Sequence, residues 1–181
     1  RPAPWTLAEI AGRLAEISGS GDTASLTVAF GLVLEAQEQG GPVGWITSSE
    51  SFFYPPDVAR GGVDLDGLVV VLAPGTENVP RAGERLLRSG SFGLVVLDLG
   101  IAEIPMPLQT RLAGLAHRHH AALVCLTENK SRKSSLGSLI SLRVHAERRR
   151  ISEGQFACRL HVLKDKRCGP TWTHAEVCCG P

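Results

Sequence analysis

The residues best placed to do chemistry are Gly19-Ser20-Gly21-Asp22-Thr23-Ala24-Ser25-Leu26, a run of small residues leading into the apolar stretch Thr27 to Gln37. Between a strand and a helix, such a loop turns backbone N–H groups toward an anion, as a phosphate-binding P-loop does. A working P-loop reads Gly, four residues, Gly, Lys and then Ser or Thr. Counted from Gly19, those last three positions are Ala24, Ser25 and Leu26. Serine stands where a lysine would contact the β/γ-phosphates, and leucine where a hydroxyl would ligand Mg²⁺. Asp22 adds a negative charge inside the loop. At ~4 Å and an effective dielectric of ~20, its repulsion of a phosphate costs about 4 kcal/mol before screening. The spacing therefore predicts the outline of a nucleotide-hydrolysing site that neither binds a nucleotide cofactor nor hydrolyses one.

The elements that must position this loop are legible on either side. Leu7, Ile10 and Leu14 share a helical face, with Thr6 as N-cap and Glu9 at capping-box spacing. Leu14 to Ser18 then reads as a short strand, and Ala24 to Gln39 as a helix stopped by Gly40-Gly41. The apolar character of that helix on all sides predicts burial. Val43 to Thr47 is strand-like, and Tyr54-Pro55-Pro56-Asp57 starts a short helix ending before Gly61-Gly62. Leu68 to Leu72, Phe92 to Leu97 and Ala121 to Leu126 read as buried parallel strands, separated by helices over Arg81 to Ser89 and Pro107 to His119. Such alternation argues for an α/β fold built on a central, mostly parallel sheet. Ser138 to Glu147, Gln155 to Leu163 and Thr171 to Cys178 read as antiparallel strands at the C-terminal edge.

With 181 residues and no internal repeat or linker, one domain is expected. No apolar run reaches the ~20 residues of a membrane span, so no membrane partner is expected. The start, Arg1-Pro2-Ala3-Pro4-Trp5, is neither a signal peptide nor a natural initiator, which predicts an excised fragment. Net charge is +1 but uneven: −4 over residues 1–60, −2 over 61–128 and +7 over 129–181. The basic C-terminal third suggests an anionic partner.

An odd count of five cysteines and no secretion signal predict reduced thiols in a cytoplasmic protein. Cys168, His174, Cys178 and Cys179 lack the paired spacing of a zinc site, so no metal is expected. His117, His119 and His120 suit a helix C-terminus. No spacing suggests covalent catalysis. Trp5, Phe52, Phe53, Tyr54 and Trp172 are expected to be partly exposed.

Taken in order, these elements resemble the ATPase core of the RecA recombinase family, from about Gly12 to Pro181. Gly12 to Gly19 is similar to the strand entering that family's P-loop, and Glu35-Ala36-Gln37 to the end of its first helix. Gly62-Val63-Asp64-Leu65-Asp66 resembles the turn before the next strand, and Leu94 to Asp98 the Walker B strand. Val162-Leu163-Lys164-Asp165-Lys166 resembles a lysine-bearing segment near the core's end. Within the superfamily the chain resembles ImuA-type accessory proteins, on Trp45-Ile46-Thr47 and the Phe52/Phe53-x-Pro stretch.

The resemblance places Asp98 where Mg²⁺ would be held through water, Glu50 where a glutamate would activate water, and Glu128 at a sensor position. With Ser25 and Leu26 opposite, Asp98 is expected to be a structural relic, and Glu50 has no nucleotide to act on. Lys130, Arg132, Lys133, Arg143, Arg148, Arg149 and Arg150 could form a phosphate-binding surface, or a charged edge that resists aggregation. No aromatic residue is interleaved among them for stacking on bases.

The resemblance implies a non-catalytic RecA-like accessory protein of mutagenic translesion synthesis in the SOS response. Its implied partners are a RecA-type recombinase and/or an ImuB-like polymerase homologue, with single-stranded DNA as a further candidate. The arm that links recombinase subunits is not seen, which would leave an acceptor groove for a partner's arm. A divergent ATPase and a plain single-stranded DNA-binding module stand as the alternatives.

Overall fold

The computed structural model describes residues 5–19, 24–49, 55–128, 136–170 and 172–179. Eight strands form one sheet: β1 (Leu14–Gly19), β2 (Val43–Ser48), β3 (Leu68–Ala73), β4 (Leu94–Gly100), β5 (Ala122–Glu128), β6 (Leu142–Ser152), β7 (Gln155–Asp165) and β8 (Thr173–Cys179). Their order is β3-β2-β4-β5-β1-β6-β7-β8. Every pairing from β3 through to β6 is parallel, and β7 and β8 add antiparallel at the C-terminal edge. This is the expected α/β architecture. One difference is that β6 begins at Leu142 rather than Ser138, and itself pairs parallel with β1.

Helices α1 (Leu7–Ile10), α2 (Ala24–Glu38), α3 (Pro55–Arg60), α4 (Val79–Ser89) and α5 (Met106–His119) connect the strands. Thr6 caps α1, its hydroxyl accepting the Glu9 N–H. Glu35 on α2 accepts the Leu7 N–H at 2.8 Å and ties α1 to α2. Gly40, at φ 76°, ends α2 in the left-handed region that favours glycine. His120 caps α5 at φ 52°, its N–H bonding the Ala116 and His117 carbonyls.

Two apolar layers enclose the sheet. Val28, Leu32 and Val33 of α2 pack on Ala15, Ile17, Trp45 and Val96, with Phe30 stacked on Trp45 at 4.6 Å between centroids. Leu87 of α4 and Leu112 of α5 cover Leu97, Leu99 and Leu123 on the other face. Burial of such side chains stabilises by about 1.5–3 kcal/mol each. Helix α2 is less enclosed than its composition suggested, because Gly31 is exposed and Leu26, Phe30 and Leu34 only half-buried. Trp5 is buried, against expectation, in the α2 layer. Trp172 is half-buried, its indole N–H donating to Asp165 at 2.9 Å.

The largest departure concerns β3. Its run Leu68-Val69-Val70-Val71-Leu72 was expected to be buried, yet Val69, Val70 and Leu72 are exposed. The reason is topological: β3 pairs with β2 alone and forms the sheet edge.

Candidate functional site

Strand β1 is buried at all six positions and ends at Gly19, and α2 begins at Ala24. Gly21 and Asp22 lie outside the described residues, as do Glu50, Phe52, Phe53 and Tyr54. Ala24 is buried. The Ser25 Oγ is buried with no hydrogen-bond partner among the described residues, and it lies so close to Gly19 that a Cβ there would overlap it. Leu26 packs half-buried against the core.

Asp98 does not end β4, which runs on to Gly100. Its Oδ2 accepts the Thr47 hydroxyl at 2.9 Å, so the carboxylate is anchored to the neighbouring strand. Glu128 closes β5 as an exposed residue.

The anticipated basic surface divides. Lys130, Arg132 and Lys133 lie outside the described residues. Arg143 is a correction: it is 3% exposed, its Nε 3.3 Å from the fully buried Glu16 Oε2. Parallel pairing of β1 with β6 sets Glu16 beside Arg143, so this cation balances a core carboxylate. The Thr127 hydroxyl donates to the other Glu16 oxygen at 2.8 Å. Arg148, Arg149 and Arg150 stand about 17 Å or more further along β6. There the Arg148 guanidinium lies 3.6 Å above the Phe156 ring. An aromatic therefore joins these arginines from β7, across the hairpin, where residue order along β6 could not show it.

Two clamps hold the motif segments together. Gln37 donates to the Asp64 carbonyl at 2.7 Å and accepts the Asp64 N–H at 3.0 Å, joining Glu35-Ala36-Gln37 to the turn over residues 62–66. Lys164 and Lys166 both donate to the Ser138 carbonyl, at 3.1 and 2.8 Å. Partial burial, and then Lys166, hold the Lys164 ammonium below its usual pKa. The Cys125 thiol is pushed far up by burial and then by Glu16, leaving it inert. Among the described residues no cluster of His, Cys, Asp or Glu could hold a metal ion. The zinc grouping weighed from the sequence includes side chains, Cys178 and Cys179, outside the described ones.

Fold and site together define an α/β protein with a mostly parallel sheet in which the buried strand β1 ends at Gly19 and the helix α2 begins at Ala24. The chain is 30% identical over 129 residues to Protein RecA of Clostridium acetobutylicum, covering 71% of this chain and 36% of that protein. It is 30% identical over 129 residues to Protein RecA of a Nocardioides species, covering 71% and 35%. With Protein RecA of Chlorobium limicola it shares 34% identity over 94 residues, covering 52% and 27%. No family model matches. The chain spans about a third of the length of these relatives. The partial matches support a RecA-like superfamily relationship, and the observed sheet fits it. Among the described residues no helix is long and apolar enough to cross a membrane.

Proposed function

We propose that this chain is a non-catalytic, cytoplasmic RecA-like accessory protein of ImuA type. It serves the DNA-damage response and mutagenic translesion synthesis by binding a RecA-type recombinase and/or an ImuB-like polymerase homologue. The observation that carries the reading is the β3 edge. Val69, Val70 and Leu72 are 42%, 38% and 65% exposed on a strand whose outer backbone edge has no pairing strand among the described residues. Natural edge strands are usually charged, covered or short, and one this apolar is suited to receive a strand from a partner. Ser25 and Leu26, turned to packing against Gly19 and the core, support the absence of catalysis.

The test pairs calorimetry with sedimentation. Mg²⁺-ATP is expected to give no binding heat, and the chain to co-sediment with recombinase filaments unless β3 carries Leu72→Asp. Micromolar nucleotide affinity would return the divergent ATPase to first place.

A second reading, single-stranded DNA binding, draws on Arg148 over Phe156 with Arg149 and Arg150 exposed beside them. Oligonucleotide binding that weakens with salt and is lost on Arg149→Glu with Arg150→Glu would favour it.

A further inference from the structure

The net charge of residues 61–128 hides a segregation. All five basic residues of that segment, Arg81, Arg85, Arg88, Arg111 and Arg118, fall on α4 and α5, where Glu84 is the sole carboxylate. The two helices pack side by side. Arg81, Glu84, Arg85 and Arg88 follow the i, i+3, i+4, i+7 spacing of one helical face. Arg111, Gly114, Leu115 and Arg118 follow the same spacing on α5.

Where these stripes meet lies an open groove of about 290 Å³, lined by Glu84, Arg88, Arg111, Gly114, Leu115 and Arg118. Glu84 Oε1 accepts both Arg88 Nη2 at 2.7 Å and Arg111 Nε at 3.0 Å. One carboxylate thus orients two guanidiniums whose side chains remain 68% and 53% exposed. A guanidinium has five N–H donors, so most stay free for a ligand. Arg81, Arg85 and Arg118 have no carboxylate partner among the described residues.

We infer that this groove binds an acidic amphipathic helix of a partner protein. A third helix seats between two others along such stripes. Gly114 has open space where a side chain would stand, so a helix can approach closely, and half-buried Leu115 supplies an apolar seat. Glutamates at i, i+4 and i+7 on the incoming helix meet arginine rows of the same length, about 10 Å. Arginine forks match carboxylates in paired hydrogen bonds. Nucleic acid fits less well, because no aromatic side chain lines the groove to stack on a base. This surface is separate from the β3 edge and holds whether or not the accessory reading does.

The test titrates the full chain with a labelled helical peptide carrying three glutamates at i, i+4 and i+7 around one leucine, read by fluorescence anisotropy. A scrambled peptide of equal composition and a single-stranded oligonucleotide are run in parallel. The ordered peptide is expected to bind more tightly than the scrambled one. Arg88→Glu with Arg118→Glu is expected to weaken it about tenfold or more, and Arg149→Glu with Arg150→Glu to leave it unchanged. Arg118→Glu alone, which breaks no ion pair among the described residues, repeats the test should the double variant fold poorly. Equal binding of both peptides, indifference to the groove substitutions, or release of the oligonucleotide alone by those substitutions overturns the inference.

Discussion

The Arg13 guanidinium donates to Asp165 Oδ1 at 2.7 Å, joining the start of β1 to the end of β7 across 152 residues of sequence. Both side chains are buried, 4% and 1% exposed. Arg13 also donates to the Ser141 carbonyl and hydroxyl, and Asp165 also accepts from Trp172 and the Arg167 N–H. Breaking such a pair from one side strands a charge, so Arg13→Ala is expected to cost about 3–5 kcal/mol. That is a large share of the ~5–15 kcal/mol stability of a typical domain. Urea unfolding checks it.

The same carboxylate sets an acid limit. Burial pushes the Asp165 pKa up, but hydrogen bonds from Arg167, Trp172, Arg13 and Cys168 outweigh it and hold the value below the usual range. Its contribution is therefore full above the unfolded pKa of ~3.9 and is lost as pH falls through the lower folded value. Stability measured downward from about pH 5 should decline less steeply in Asp165→Asn than in the native chain. Parallel slopes would refute this.

On β3, Leu72→Asp is expected to change stability by no more than about 0.5 kcal/mol, since the side chain is 65% exposed. Its effect belongs to association: co-sedimentation with recombinase falls while the melting temperature stays put. A substitution that unfolded the chain instead would place Leu72 in a packed core.

How far the sequence could be read follows from what each signal encodes. Strand β1, the α2 stop at Gly40 and the short helix ending before Gly61 were legible because capping and breaker residues act locally. An unbroken apolar run such as Leu68 to Leu72 does not say whether its strand is central or at an edge, since strand order is set by long-range pairing. Arg143 misled for the same reason. Its partner Glu16 lies 127 positions away in sequence, and only parallel pairing brings the two together. A carboxylate within the apolar strand Leu14-Ala15-Glu16-Ile17 was the one local sign that a buried cation must exist. The arginine stripes of α4 and α5 were hidden by averaging charge over a segment whose acids lie mostly elsewhere.

Thiol reactivity should separate the cysteines. Cys125 and Cys158 are buried, Cys168 exposed, and burial and Glu16 keep the Cys125 thiol protonated. With Cys178 and Cys179 replaced by serine, a native chain is expected to take up maleimide quickly at Cys168 alone. Denaturant should release the other two. Rapid native labelling of Cys125 would contradict the packing of β5 in the sheet centre.

The close approach of Gly19 to Ser25 offers the most direct probe of the loop. Gly19 has no left-handed φ to require glycine, so its need is steric: a Cβ there would overlap Ser25 Oγ. The atom met is the end of a short side chain that can turn about χ1, so the loss expected for Gly19→Ala is no more than about 1 kcal/mol, the low end of overpacking. Ser25→Ala should be close to neutral alone, because the buried hydroxyl has no hydrogen bond to lose among the described residues. In the double variant the methyl left by Ser25→Ala would lie where the serine Cβ now stands, an ordinary 3.6 Å from the new carbon. Most of the lost stability should therefore return, giving a coupling of up to about 1 kcal/mol in a double-mutant cycle. Ser25→Lys, which puts back the lysine of a working P-loop, must send its longer chain elsewhere and is expected to bring no Mg²⁺-ATP heat by itself, since Leu26 still offers the metal no hydroxyl. Additive losses in the cycle would show that Ser25 does not press on Gly19, and nucleotide binding by Ser25→Lys alone would show that the pocket lacked only its lysine.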